Sequence, residues 1–599
     1  MSETAPENTQ TPDPSKLMEN YSKIVLQSQR LVNEFVKHQI NDDHFQIPDP
    51  GVISKAFMDM SPHLLADPGK LMQTQMDYWH QYMSLWHNTA RKFAGENVEP
   101  LIAPEPGDKR FKDDEWAENA VFDFIKQSYL LTARSLQNLT HGVNGLDEGT
   151  ANKVDFYTQQ FIDALSPTNF VHTNPKVLKE TLESGGDNLV NGLENLLEDL
   201  ERSKGHLRVK MTDLEAFEPG TNVAVTPGKV IFQNDLMQLL QYTPTTETVF
   251  QKPLMIIPPW INKFYILDLR AKNSFIKWAV DQGFTVFVIS WVNPDESLAE
   301  KQFEDYLLDG PIAALDAIEK ATGEKEVNAV GYCLGGTLLG CSLAYLAAKG
   351  DKRLKSGTFF TTMLDFTDVG ELSVFVDEEQ LQLIEDYMEK KGYLEGSQMA
   401  TVFNLLRAND LIWSFVINNY LMGKDPFPFD LLYWNSDSTR MPRAMHSFYL
   451  RNMYQHNNLK DAGGIELDGV PIDLSKINVP TYFLSTREDH IAPWKSTYMG
   501  AKHLGGKVNF VLGGSGHIAG VINPATSKKY GHCTSDTLPD TADEWLEGAV
   551  EQGGSWWSDW FDWVKRKAGK QVPARQPGDG ELKPLEDAPG SYVKIRIDK

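Results

Sequence analysis

Three side chains in this 599-residue sequence carry types and placements suited to covalent chemistry: Cys333, Asp489 and His517. Cys333 lies in Gly331-Tyr332-Cys333-Leu334-Gly335-Gly336, after a short apolar run and before an apolar helix that continues through Leu343 to Ala347. This is the layout of a nucleophile elbow, Gly-x-nucleophile-x-Gly, with cysteine at the centre. Glycines suit a tight strand-to-helix turn. The Leu334 N–H then lies at a helix N-terminus, where it can stabilise an oxyanion, and that helix end favours a thiolate. The bland alternative is a glycine turn with a small buried cysteine. A phosphate loop is excluded, because the glycine spacing and the Lys-Ser/Thr pair are missing.

A cysteine nucleophile needs a base, and the base needs an orienting acid. In strand–helix folds of this kind the chain order is nucleophile, acid, base, with the last two on loops after later strands. Thr486-Arg487-Glu488-Asp489-His490 follows one apolar run, and Gly513-Gly514-Ser515-Gly516-His517 follows the next. These residues give the triad Cys333, Asp489, His517. Glu488 and His490 are the rivals for acid and base; His532 is a weaker one, because no strand precedes it. The second oxyanion donor is expected from the N–H near Ile261, just past Pro258-Pro259. Arg407 and His490 are candidate contacts for an anionic substrate.

The elements that must hold these loops can be read from periodicity. Residues 1–16 are polar and read as a disordered tail. The region 17–212 reads as helical, beginning with an apolar stripe of Met18, Tyr21, Ile24, Val25, Leu31, Val32, Phe35 and Val36, expected to pack as a core face. Helices are also expected over 76–86, 121–136, 175–184 and 187–200. From 213 the pattern becomes α/β. A hairpin is expected within 223–232, and strands near 253–259, 284–291, 357–363, 479–485 and 508–512, with a short strand starting at 327 and leading into the elbow. Helices fall between them at 274–282 and 303–321. Such alternation predicts a parallel sheet flanked by helices. An aromatic helical insertion over 365–458 reads as a cap that could supply a dimer surface, with Trp434 within it. A tail with Trp545, Trp556, Trp557, Trp560 and Trp563 reads as a packed helix.

Net charge is −25, which disfavours nonspecific nucleic-acid binding. The three cysteines, Cys333, Cys341 and Cys533, are odd in number and not spaced like zinc ligands. No metal is expected, and a reducing cytoplasm fits. The start lacks an apolar signal core, and no apolar run approaches membrane-spanning length.

The assembled motifs closely resemble the class I polyhydroxyalkanoate synthases. The similarity is carried by Gly331-Tyr332-Cys333-Leu334-Gly335-Gly336, Pro258-Pro259-Trp260-Ile261-Asn262-Lys263-Phe264-Tyr265, Ser290-Trp291-Val292-Asn293-Pro294, Leu431-Leu432-Tyr433-Trp434-Asn435, Arg487-Glu488-Asp489-His490, Gly516-His517-Ile518-Ala519-Gly520 and Gly554-Ser555-Trp556-Trp557. One departure is Trp260, where a smaller residue occurs in a relative. The resemblance implies a helical N-terminal domain (17–212) and an α/β-hydrolase catalytic domain (213–599) with its cap. It implies polymerisation of (R)-3-hydroxyacyl-CoA, with short-chain 3-hydroxybutyryl-CoA the expected monomer, through an acyl-cysteine at Cys333. CoA leaves as product and no separate cofactor is implied. The resemblance further implies homodimers and attachment to cytoplasmic polyester granules. The competing readings are a thioesterase or depolymerase of the same fold, and a granule-binding protein without activity.

Overall fold

A computed structural model describes residues 14–39, 47–203 and 207–597. The expected tail 1–16 therefore lies mostly outside the described residues, and Pro14–Lys16 already belong to the first helix, Pro14–Gln39. The chain forms two compact units, Met1–Asp213 with Asn404–Phe427, and Leu214–Phe403 with Pro428–Lys599.

The first unit is helical: Pro14–Gln39, Pro50–Leu65, Pro68–Phe93, Ala120–Thr140, Glu148–Ala164, Pro175–Ser184 and Asp187–Arg202 are its longer elements. Asp-Pro and Asn-Pro pairs start several of them. Asp49 accepts the Gly51 N–H at 2.7 Å and Asp67 the Lys70 N–H at 2.9 Å, while proline fills the first helical position. The first helix packs differently from its expected stripe. Met18 and Tyr21 are 75% and 69% exposed, whereas Asn20 is buried. Asn20 donates to the Gly185 carbonyl at 2.9 Å and to Asp187 at 2.8 Å, and Gln27 donates to Glu194 at 2.9 Å. A polar seam thus replaces part of the apolar one. The side chains of Val32, Phe35 and Val36 lie outside the described residues.

The segment Asn404–Phe427 departs from the expected single cap insertion at 365–458 by packing with the N-terminal helices. Its polar backbone is tied there. Tyr420 donates to Asp199 at 2.6 Å, Asn188 to the Leu421 carbonyl at 2.7 Å and Asn195 to the Asn419 carbonyl at 3.1 Å. Gly192 makes the approach possible, since a Cβ there would sit 1.9 Å from the Tyr420 carbonyl oxygen.

The second unit is built on an eleven-stranded sheet. Its strands are β1 (Gly228–Gln233), β2 (Met237–Tyr242), β3 (Leu254–Ile257), β4 (Val286–Trp291), β5 (Val327–Tyr332), β6 (Leu354–Phe360), β7 (Thr481–Thr486), β8 (Val508–Gly513), β9 (His532–Thr534), β10 (Val550–Gln552) and β11 (Glu586–Asp587). They lie in the order β10-β9-β8-β7-β6-β5-β3-β4-β2-β1-β11. The run from β4 through β3, β5, β6 and β7 to β8 is parallel, and antiparallel strands close both ends. Strands β3, β4 and β5 are buried throughout, which explains their continuous rather than alternating apolar sequence.

Three local readings are corrected. The hairpin turns at 234–236, not within 223–232. The Asn234 side chain accepts the Leu236 and Met237 N–H groups at 3.0 and 2.8 Å, an Asx turn that reverses the chain. The helix expected over 303–321 breaks into Phe303–Leu307 and Ala313–Thr322, because Gly310 leaves helical geometry and Pro311 lacks an N–H. Trp545 belongs to Ala542–Gly548, separate from Trp556–Val564, which carries the other four tryptophans.

His446, on the helix Arg443–Tyr449, is 1% exposed, and neither ring nitrogen has a hydrogen-bond partner among the described residues. Burial holds its pKa down at about 4 against an ordinary 6.5. Between these values the unfolded chain binds the proton and the folded chain does not. Stability should therefore fall as pH drops through that window, by about 3 kcal/mol in full. Urea unfolding between pH 7 and 4 should show this slope in the wild type, and His446→Leu should lose that part of it.

Candidate active site

Cys333 joins β5 to the helix Leu334–Lys349 with φ 52° and ψ −119°. Positive φ is uncommon for a residue with a side chain, and the surroundings impose it here. Its N–H donates to the Phe360 carbonyl at 2.9 Å, and its carbonyl accepts the Gly336 and Thr337 N–H groups at 2.9 and 3.2 Å. The flanking glycines are required by contact: a Cβ on Gly331 would lie 2.4 Å from the Gly336 Cα, and one on Gly335 would lie 2.0 Å from the Ile257 carbonyl oxygen. Leu334 is the first helical residue, so its N–H has no intrahelical acceptor. Among the three cysteines only Cys333 is partly accessible. Burial pushes the Cys341 thiol up to about 12, and the Cys533 sulfur lies 3.5 Å from the Arg487 guanidinium.

Asp489 and His517 stand on the loops after β7 and β8, adjacent parallel strands paired through Thr486 and Gly513. His517 Nδ1 lies 2.8 Å from Asp489 Oδ2. The other carboxylate oxygen accepts the Ile491 N–H at 2.9 Å and the Ala492 N–H at 2.8 Å. Thr486 adds a hydroxyl at 3.3 Å. With Nδ1 donating to Asp489, Nε2 is the nitrogen left for Cys333, whose charge the ring feels. Burial alone would disfavour the imidazolium, but the Asp489 charge and the Cys333 sulfur outweigh it and hold the His517 pKa above its ordinary value. Asp489 and His517 are thus arranged as an acid orienting a base, with Cys333 near enough to perturb the base.

The rivals are placed elsewhere. Glu488 points to solvent, and His532 hydrogen-bonds the Gly554 carbonyl at 3.0 Å. His490 is half-buried beside Asp489. Arg407 belongs to the N-terminal unit, where it faces Asp410 at 4.0 Å. Trp434, expected at a dimer surface, is buried instead; its indole N–H donates to the Lys263 carbonyl at 2.7 Å. It belongs to a set that fixes the loop after β3, where Ile261 lies. Thr439 holds that loop from both sides, its N–H on the Ile261 carbonyl at 3.2 Å and its hydroxyl on the Trp260 carbonyl. The Lys263 ammonium, pushed down to about 8 by burial, donates to the Ile595 carbonyl at 2.8 Å.

Sequence reading missed the residues that hold His517. Tyr332 stacks on its ring at 5.7 Å between centroids and donates to its carbonyl at 3.3 Å. Trp556 and Trp557 donate to the Gly520 and Val521 carbonyls, each at 2.9 Å. The available signal was the Gly554-Ser555-Trp556-Trp557 string, whose indole N–H groups needed acceptors once buried.

The sheet and elbow place the second unit among the α/β hydrolases, and a family model for the alpha/beta hydrolase fold matches residues 254–524. A second model, described as poly-beta-hydroxybutyrate polymerase (PhaC) N-terminus, matches residues 107–279. A poly(3-hydroxyalkanoate) polymerase of Methylorubrum extorquens is 54% identical over 533 residues, 89% of this chain and 88% of that protein. Its counterparts named subunit PhaC are 51% identical in Rhizobium meliloti, over 92% of this chain and 90% of that one. In Cupriavidus necator the identity is 43%, over 91% of both. The chain belongs to the poly(3-hydroxyalkanoate) polymerase family.

Trp557→Phe keeps the ring but removes the donor to Val521. We expect turnover to drop roughly tenfold, the effect of about 1.4 kcal/mol of lost positioning, while the fold persists. Steady-state turnover beside a thermal melt measures this. Wild-type turnover in a variant with a shifted melt would confine Trp557 to stability.

Proposed function

We propose that the chain polymerises (R)-3-hydroxyacyl-CoA, with 3-hydroxybutyryl-CoA as the preferred monomer, into polyester through an acyl-cysteine at Cys333. The observation that carries this reading is the buried Asp489–His517 pair at 2.8 Å, whose imidazole also feels the Cys333 charge at the elbow. Family membership supplies the substrate class. His517 takes the thiol proton, the sulfur attacks the thioester carbonyl, and CoA departs as its thiol with that proton. The oxyanion is held by the Leu334 N–H and by an N–H near Ile261. An alcohol then attacks the acyl-cysteine, a C–O bond forms and the C–S bond breaks. The first transfer exchanges one thioester for another and is nearly isoenergetic. The second makes an oxoester from a thioester and runs downhill, a drop that a serine nucleophile would expend before elongation.

Both Asp489 oxygens already accept protein donors, which favours an orienting role over direct activation of the alcohol. His490 remains a candidate contact for CoA. We also assign the enzyme to the surface of polyester granules in the cytoplasm, as a homodimer. The exposed Met72, Met76, Trp79, Met83 and Trp86 on one helix of the N-terminal unit suit docking on an apolar polymer or its coat proteins. Among the described residues no helix is long and apolar enough to cross a membrane.

Rapid-quench CoA release from 3-hydroxybutyryl-CoA, with sizing of the product, tests the reading. Wild type should yield polymer, and Cys333→Ala should release no CoA. Free acid as the sole product would mark a hydrolase instead. Asp489→Asn should slow the first CoA release and later ones alike, by roughly 10³–10⁴. Loss of elongation with an intact first release would give Asp489 the alcohol instead.

A further inference from the structure

Two strands end side by side at the elbow. β5 and β6 run in step, Gly331 against Phe359 and Tyr332 against Phe360. The first residues past them are Cys333 and Thr361. Both have left-handed backbone, with φ 52° at Cys333 and 44° at Thr361. Both also donate an N–H one strand onward, Cys333 to the Phe360 carbonyl at 2.9 Å and Thr361 to the Leu484 carbonyl at 2.7 Å. Thr361 thus repeats the backbone distortion of the nucleophile on the neighbouring strand. For a β-branched residue this conformation is an outlier, of the kind that collects at active sites.

The next residue supplies the contrast. The Thr362 hydroxyl donates to the Phe360 carbonyl at 3.0 Å and shares its proton with the Cys333 carbonyl at 3.3 Å. Gly336 makes room for it, since a Cβ there would sit 1.9 Å from that hydroxyl oxygen. Thr362 is therefore part of the frame of the elbow. Thr361 is 1% exposed, and its hydroxyl has no hydrogen-bond partner among the described residues. A buried hydroxyl left open costs stability and calls for a reason. This one stands on the residue next in register to the nucleophile, where a ligand oxygen can complete it.

We propose that Thr361 reads the 3-hydroxyl of the acyl group carried by Cys333. The inference rests on the polymerase reading above and deepens it with a residue that selects a 3-hydroxyacyl group over a plain acyl group. An acyl chain on the sulfur places its 3-hydroxyl four bonds away, a reach comparable with the ~4.8 Å between neighbouring strands. A threonine hydroxyl both donates and accepts, so it can serve a secondary alcohol in either sense. A 3-hydroxyacyl group closes the hydrogen bond that folding leaves unmade. A butyryl group of the same length leaves it open, and the site rejects that group for this reason.

Thr361→Val keeps the shape and the branching, and with them the backbone strain, but removes the hydroxyl. Loading of Cys333 is followed as the CoA burst from two probes at subsaturating concentration, (R)-3-hydroxybutyryl-CoA and butyryl-CoA. Wild type should load the hydroxylated probe roughly tenfold faster or more, the effect of one hydrogen bond made to a buried hydroxyl. Thr361→Val should bring the ratio of the two rates to within about twofold of one. It should melt no lower than wild type, because the open hydroxyl is gone. Thr361→Ser, which keeps the hydroxyl, should retain the preference. Equal loading of both probes by wild type would overturn the contact whatever the variants do. An unchanged ratio in Thr361→Val would overturn it too, and a lowered melt beside that ratio would confine Thr361 to the fold. Failure of the polymerase reading looks different: wild type would give no CoA burst from either probe, or Cys333→Ala would retain one.

Discussion

The buried carboxylate of Asp489 is the constraint from which the site follows. Its side chain is withdrawn from solvent, where an unpaired charge is not tolerated. Two backbone N–H groups, one hydroxyl and the His517 imidazole together replace its water. Removing one partner from such a set leaves a buried charge short of compensation, a loss on the order of 3–5 kcal/mol. The pairing therefore dictates position. The loops after β7 and β8 must end side by side, and the in-step register of those strands, Ser485 against Leu512 and Thr486 against Gly513, brings them there. The same contact fixes the imidazole tautomer, so an arrangement needed for stability also leaves Nε2 free for Cys333.

The elbow is the complementary constraint, imposed by contact instead of charge. The helix that follows Cys333 comes so near the end of β3 that only hydrogen fits at Gly335. That closeness brings the helix N-terminus, with its unsatisfied N–H groups, up to the loop after β3. The loop is in turn held by Thr439, Trp434 and the Ile595 carbonyl, which meets Lys263. Residues near the end of the chain thus close a frame opened at its centre. Cys333 keeps its positive φ because β5, β6 and the helix all fix its backbone at once.

Much of this frame was legible in the sequence. The order of Cys333, Asp489 and His517, each just past an apolar run, required only that the runs be parallel strands. Alternating strand and helix patterns supplied that. What escaped was contact at long range. Tyr332, Trp556 and Trp557 hold the His517 loop through bonds to carbonyl groups, which any residue offers, so no pattern marks the acceptor. Asn20 displaced an apolar stripe for a similar reason, since its partners at Gly185 and Asp187 lie far along the chain. The hairpin was misplaced because Thr226-Pro227-Gly228 is a strong turn signal locally, while Asn234 turns the chain through its own side chain. The segment 404–427 shares the aromatic, helical composition of its flanks, and polar ties such as those of Tyr420, Asn188 and Asn195, which no local pattern marks, divide it from them.

The walls around Cys333 bear on why a hydrolase-type frame can build a polymer. The nucleophile, base and oxyanion donors do not discriminate between water and an alcohol, since either can deliver an oxygen to an acyl-cysteine. Discrimination must come from what surrounds them. Trp260, packed against Trp291, Phe303, Tyr306 and Tyr449, presents mostly aromatic carbon, with a single indole N–H that has no partner among the described residues. A 3-hydroxyacyl chain gains by burying its carbons there, at about 0.8 kcal/mol for each methylene removed from water. A few such groups bias the competition by factors of hundreds without any change in the reacting atoms. On this view the step from hydrolysis to synthesis lies in apolar surface beside the elbow, and cysteine contributes a bond that still has free energy to release when the alcohol arrives.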